Sequence, residues 1–376
     1  LWVSPIRFEL ASAIDERGAF AQLSRWRESI LIFCCISCLG LGVTIQQLPA
    51  ELTHGPMLGR QSSHGMGIWG RTSRPARLGV QYGNLPEEMN ELSGTVQTRL
   101  EHDNTAWIEL KDLDPDSKYY YRLMVNGEPA GQVGRFRTLP SAAAVRNTEY
   151  NPKGRFNFRF EFGCGNNQTA DPALPAFTTM LREIPDDVHF AILNGDWLYE
   201  DAREYSIQDW ARQVGLSQSQ LPRITKLAPT IVGVWENYKL YLDRAKNLAE
   251  WHRFVPSYYT FDDHEILNDV FGCGTAGFRS RRAVFRDIAV QAWFDYLGWS
   301  NPLRYKQPIH FGLASLKAGS DVLTDLDADF HQIDPAQSAN LHVHWGTETA
   351  GVKDAVLDSE PGDPNSAVYE IVEVVS

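Results

Sequence analysis

The stretch Val188-His189-Phe190-Ala191-Ile192-Leu193-Asn194-Gly195-Asp196-Trp197-Leu198-Tyr199-Glu200 decides the fold. Val188 to Leu193 is an apolar run of strand length, and Gly195 lets the backbone turn sharply at its end. Asp196 is thereby delivered at the carboxyl end of a buried strand, where α/β folds place their sites. Tyr258 to Phe261 reads as another short strand. It runs into Asp262-Asp263-His264-Glu265, with Asn268 and Asp269 close behind. Four acidic groups and an imidazole within eight residues repel one another and desolvate poorly unless a cation holds them. The two segments read as a split metal site, with a solvated acidic loop as the alternative.

Upstream, Phe156, Phe158, Phe160 and Phe162 alternate with Asn157, Arg159 and Glu161, as in a strand. The strand stops at Gly163-Cys164-Gly165-Asn166-Asn167, a glycine loop that presents Cys164. Pro172 to Arg182 is predicted to be a helix capped by Asp171. The result is a β-α-β unit with Cys164 and Asp196 at one edge of a sheet. Further on, Trp210, Trp235, Tyr238, Leu242, Leu248 and Trp251 fall on helices that cover the sheet, as core rather than site.

From His54 to about Pro140 the chain reads as a small β-sandwich. Leu78, Val80 and Tyr82 alternate with Gly79 and Gln81, and Tyr119, Tyr121, Leu123 and Val125 alternate with Tyr120, Arg122 and Met124. Asn126-Gly127 is a two-residue hairpin turn, after which Val133 to Thr138 returns. Leu113 to Tyr119 resembles the corner of fibronectin type III and other immunoglobulin-like sandwiches, in which a Tyr hydroxyl bonds back to the backbone. Leu139 to Ala144 reads as a linker.

Arg25 and Arg27 precede the uncharged apolar run 29–45, a signal-peptide pattern with cleavage near Ala50; an uncleaved anchor or a buried helix are the alternatives. Export, to the periplasm or outside the cell, is therefore expected, with membrane contact only if the segment stays uncleaved. Of the five cysteines, Cys34, Cys35 and Cys38 lie in that run. Cys164 and Cys273 remain, and in an exported chain they can equally pair as a disulfide. With 376 residues, 43% of them hydrophobic, the chain has room for two or three domains. Its net charge of −12 excludes a nucleic-acid scaffold, which would need concentrated Lys and Arg.

The ordered motifs Phe-Gly-Cys-Gly-Asn (162–166), Asn-Gly-Asp-Trp-Leu-Tyr-Glu-Asp (194–201) and Phe-Asp-Asp-His-Glu-Ile-Leu-Asn-Asp (261–269) resemble the alkaline phosphatase D (PhoD-like) branch of the metallophosphoesterases. The resemblance covers about Leu52 to Gly274. It implies an α+β multidomain fold: an immunoglobulin/fibronectin-III-like sandwich, then the first part of a metallophosphoesterase α/β/β/α sandwich. The expected organisation is an N-terminal extension with signal or anchor (1–50), sandwich (51–140), linker (141–152), metallophosphatase domain (153–300), and an inserted lobe or truncated segment (301–376).

The same resemblance implies iron (Fe3+) together with calcium (Ca2+). Cys164, Asp196, Tyr199 and Asp263 would be ligands, with Asp196 bridging, and His264 would lie beside the substrate phosphate. Asn166 and Asn268 are weaker candidates for substrate binding. Thiolate and phenolate suit a ferric ion, and carboxylates suit calcium. Tyr199 lies three residues after Asp196, about one helical turn, so both can face one centre. The implied reaction is in-line attack on a phosphate ester by metal-bound hydroxide. By the same resemblance Asp263 and His264 would be the catalytic pair, with His264 donating a hydrogen bond or proton. Arg279, Arg281, Arg282 and Arg286 read as a solvated helix face rather than a phosphate clamp, and Cys273 matches no family position.

The family's later His and Asp motifs have no counterpart here. Asp329-Phe330-His331 and His342-Val343-His344 present alternate residues but read as part of an inserted lobe or extended loop. Val368 to Val375 reads as a strand without partners downstream, as in a truncated chain. Two functional classes follow: a metal-dependent phosphoric ester hydrolase, or a catalytically inactive truncated relative that binds calcium or a surface partner.

Overall fold

A computed structural model describes residues 49–165, 175–200, 207–222, 231–266, 283–302, 312, 314–326, 328–332, 340–343 and 367–374. The expected signal or anchor, the cap Asp171, Asn166, Asn268, Cys273, Arg279, Arg281, Arg282 and His344 lie outside the described residues.

The first unit is built from β1 (Leu52–Gly59), β2 (Met66–Thr72), β3 (Arg77–Gly83), β4 (Glu91–Leu92), β5 (Val96–Gln97), β6 (Thr105–Leu110), β7 (Lys118–Val125) and β8 (Glu128–Arg137). One antiparallel sheet runs β1-β2-β6; the other runs β4-β3-β7-β8, with β5 also pairing β3. Leu58, Ile68, Leu78, Val80, Ile108, Tyr121 and Leu123 fill the space between them. Alternation in β7 is as expected: Tyr119, Tyr121, Leu123 and Val125 are buried, and the residues between them are half-exposed. Asn126 (φ 53°) and Gly127 (φ 92°) both take positive φ, the geometry a two-residue hairpin needs. The corner forms as well, since the Tyr119 hydroxyl accepts the Asp114 N–H at 2.9 Å.

β2 is buried along its whole length. Ile68 points into the sandwich, whereas Trp69, with Met57 of β1, belongs to the core of the next unit. The β1-β2-β6 sheet is thus a middle layer, covered on both faces.

The linker region holds only the short α1 (Ala142–Val145). Beyond it, β9 (Phe160–Gly163), β10 (Phe190–Asn194) and β11 (Ser257–Thr260) form a parallel sheet in the order β11-β10-β9. Parallel neighbours require crossovers, and the helix α2 (Pro175–Glu183) lies between β9 and β10. Among the described residues, the helices α3 (Ile207–Gln213), α4 (Ile231–Arg244) and α5 (Lys246–His252) lie between β10 and β11; α6 (Ala283–Tyr296) follows. Ala191, Leu193 and Tyr259 pack into one apolar cluster with Trp197, Trp210, Trp235, Tyr238, Leu242, Leu248 and Trp251, as the helical spacing predicts.

The phenylalanine strand is shorter than its alternation predicts. Pairing starts at Phe160 because β10, its partner, starts at Phe190. Phe158, Phe160 and Phe162 are exposed on the sheet face away from that cluster, with Phe158 and Phe160 against Phe190. Among the described residues the layer has this one parallel sheet. Near the end of the chain β12 (Ser315–Leu316) pairs β13 (Leu323–Thr324), and β14 (Asn340–Val343) pairs β15 (Ala367–Glu370). The expected strand at 368–375 therefore ends at Glu370, and its partner lies upstream.

Candidate metal centre

Three loops meet at the carboxyl edge of the parallel sheet. β10 is followed by Gly195 (φ 76°) and Asp196 (φ 53°), two consecutive left-handed residues that reverse the chain. Glycine takes that conformation freely, and Asp is among the few side chains that tolerate it. A Cβ on Gly195 would lie 2.5 Å from the Cβ of Asp262, so its absence lets the β10 and β11 loops touch. The Gly165 N–H points to the Gly195 oxygen at 3.4 Å, bringing the β9 loop alongside.

Asp196, Asp263 and His264 each offer a ligand atom within 4.8 Å of the others. Tyr199 joins them: its hydroxyl donates to Asp196 Oδ2 at 3.3 Å, and its ring lies 4.2 Å from that of His264. This contact is made within an irregular loop rather than across a helical turn. Cys164 is a free, exposed thiol. It sits on the neighbouring β9 loop, outside the cluster of three. His331 and His342 are also outside it; His342 Nδ1 instead pairs with Asp287 Oδ2 on α6 at 2.5 Å. Arg286 pairs with its neighbour Asp287.

The site's electrostatics call for a cation. Burial pushes the Asp196 carboxyl above its ordinary value, and the charges of Asp262 and Asp263 push it further, while His264 and the Tyr199 hydrogen bond oppose the shift. The Tyr199 hydroxyl is pushed up to about 12, first by burial and then by Asp196. Asp196 Oδ1 has no hydrogen-bond partner among the described residues. Converging carboxylates, an imidazole and a phenol, with one carboxylate oxygen left over, fit a hard or borderline metal ion.

Glu265 departs from the expectation that all the acidic groups face a cation. It is fully buried and turned inward. Its Oε1 accepts the N–H groups of Trp197 (2.7 Å) and Leu198 (3.2 Å), and its Oε2 those of Asp196 (3.2 Å) and Asp262 (2.8 Å). Burial pushes its carboxyl up to about 7, against the pull of these four bonds. The signal was present in the sequence: Asp262-x-x-Glu265 is a capping box, and the structure forms one there.

The base of the site is held by α4, which the helical pattern marks only as core. The Asn237 amide donates to the Tyr199 oxygen at 3.2 Å and to Glu200 Oε1 at 2.9 Å, and the Tyr241 hydroxyl accepts the Tyr199 N–H at 3.3 Å. The Glu200 N–H donates to the His264 oxygen at 2.9 Å, closing one loop on the other.

Two family models match the chain: PhoD-like phosphatase, N-terminal domain, over residues 42–140, and PhoD-like phosphatase over residues 158–320. Together they take in most of the sequence, and the chain belongs to the PhoD-like phosphatase family. A solved structure of PhoD is 21% identical, with a TM-score of 0.48, over 66% of this chain and 46% of that chain. The chain thus spans less than half the length of that protein. The sensor domain of the anti-sigma factor RsgI4 in Pseudobacteroides cellulosolvens is 17% identical over 25% of this chain and 97% of that chain, with a TM-score of 0.21. For the fn3 domain of human contactin 1 the figures are 16%, 25%, 81% and 0.20. No curated protein matches the chain. Among the described residues no helix is long and apolar enough to cross a membrane.

Proposed function

We propose that this chain carries the metal-binding part of a phosphoric ester hydrolase that uses iron and calcium. The observation that carries this reading is the convergence of Asp196, Asp263 and His264 at one sheet edge within 4.8 Å, in a chain of the PhoD-like phosphatase family. Asp196 and Asp263 would hold the metals, with Tyr199 beside Asp196 and Cys164 supplied from the adjoining loop. Bound metals would supply an activated water and neutralise phosphate oxygens. His264 would donate a hydrogen bond or proton to a phosphate or leaving-group oxygen, a role supported by its packing against the Tyr199 ring. The substrate is a phosphate ester, and Asn166 and Asn268 are weaker candidates for binding it. The apolar run 29–45 and its basic flank support export.

The test compares hydrolysis of a phosphomonoester and a phosphodiester by wild type and Asp196→Asn, with metal content measured on both proteins. Changing even an outer partner of a metal ligand costs about 10–100-fold, so Asp196→Asn is expected to lower activity by at least about 100-fold and to release metal. Wild-type protein without bound iron and without hydrolysis of either ester would sink the enzyme reading. Metal uptake without hydrolysis would favour the inactive, calcium-binding relative.

A further inference from the structure

The left-handed pair Gly195–Asp196 turns the next backbone N–H groups toward one side, the kind of concavity that ordinarily takes an anion. Here the anion is internal. The Glu265 carboxylate fills the concavity from the facing loop and also accepts its own loop's Asp262 N–H, so four amides from two loops converge on one side chain. The loops are 60-odd residues apart in sequence, and the residues flanking these amides are Asp196 on one loop and Asp263 and His264 on the other. We propose that Glu265 is a positioning residue whose carboxylate sets the distance and register between Asp196 and the Asp263–His264 pair. This rests on the reading of those three residues as a metal site.

A glutamate fits this task for two reasons. Each carboxylate oxygen accepts two N–H bonds, and an amide in its place would turn two N–H donors against its own NH2. Its length spans the gap between loops, which an aspartate, one methylene shorter, would not. A buried backbone donor left without an acceptor is costly, so the loops would separate rather than leave the amides empty.

Mn2+ serves as the probe, a cation suited to carboxylate and imidazole ligands. Its affinity is measured calorimetrically on the full chain for wild type, D196N, E265Q and E265D, below the melting temperature of each. Expected results are Mn2+ uptake by wild type, little by D196N, and an affinity about 10–100-fold weaker in both Glu265 variants. A role confined to stability would lower the melting temperature and leave the affinity of the folded protein unchanged.

Amide hydrogen exchange of the metal-free wild type gives a second reading that needs no variant to fold. Loop amides normally exchange quickly, yet those of residues 196–198 and 262 are expected to be slow. Wild-type affinity in E265Q or E265D, or fast exchange of those four amides in wild type, overturns the proposal while leaving the metal site intact. Wild-type protein that takes up no Mn2+ overturns the metal-site reading and this inference with it.

Discussion

The indole Nε1–H of Trp69 donates to the backbone oxygen of Asp295 at 2.7 Å, joining the middle of β2 to the last turn of α6. Around this bond the sandwich and the α/β unit share one buried interface. The Asp295 carboxylate accepts Trp235 Nε1–H at 3.0 Å and the Gln291 amide at 2.9 Å, and it pairs with His102 at 2.8 Å. Tyr296, next along α6, stacks on Tyr238, which in turn stacks on Trp197 behind the Asp196–Asp263–His264 cluster. A continuous packed path therefore runs from the sandwich to the back of the site.

Asp103 is the charge on which that interface depends. It is fully buried and holds Arg71 through two bonds of 2.9 and 2.8 Å, accepts from the Tyr296 hydroxyl at 2.5 Å, and lies 3.4 Å from Lys239. Burial would raise its carboxyl, yet the Lys239 and Arg71 charges hold it well below the usual carboxylate range. Asp103→Asn would leave the buried Arg71 without its counter-charge, while Lys239 keeps its pairing with Glu236, a loss of about 3–5 kcal/mol. Denaturant unfolding should show one transition shifted as a whole; unchanged stability would mean that the two units do not share this network.

Gly195→Ala is expected to damage the site more than the fold. The added Cβ would meet Asp262 at 2.5 Å, and φ 76° is itself unfavourable for alanine by about 1–2 kcal/mol. The β10 and β11 loops must then move apart. Metal affinity should fall by at least about tenfold while far-ultraviolet circular dichroism stays as in wild type. A variant with wild-type affinity would show that the close approach of the loops is not required.

His252 gives the fold a defined acid sensitivity. It lies fully buried, near the Ser257 hydroxyl (3.2 Å), and burial lowers its imidazole from 6.5 to about 3. The unfolded chain takes up a proton near pH 6.5 and the folded chain does not, so its contribution is complete above that pH. It is lost as pH falls toward 3, at about 1.4 kcal/mol per unit. Between pH 7 and 5 this amounts to roughly 2 kcal/mol. Urea unfolding of wild type and His252→Gln at those two values should show the wild type losing more; parallel losses would refute this origin.

Tyr119→Phe isolates the sandwich corner. It removes the acceptor of the Asp114 N–H, a bond worth about 1 kcal/mol net. The corner lies away from the cluster, so metal affinity should stay as in wild type. A loss of metal affinity in this variant would show a longer reach of the sandwich than its contacts provide.

Much of the architecture was legible because its determinants are local. The alternation in β7, the Asn126-Gly127 turn, the Tyr119 corner and the strand–glycine–aspartate step at Asp196 each depend on a few consecutive residues. Glu265 was harder to read: its acidity put it among the groups expected to need a cation, and only its capping-box spacing hinted that it bonds to backbone. The phenylalanine run shows a further limit, since alternation marks a strand face without saying whether anything covers it.

By itself the sequence determined that acidic residues end two strands, and its ordered motifs carried the family resemblance. The tertiary structure decided how those residues are used. It set Asp196, Asp263 and His264 together, turned Glu265 onto backbone amides, left Cys164 outside the cluster and sent His342 to α6. It also made β2 a layer buried on both faces. The physical reason is that a side chain's partners across sixty or two hundred residues depend on how sheets and helices stack, whereas the strand ends and turns that bring them there depend on neighbours in the chain.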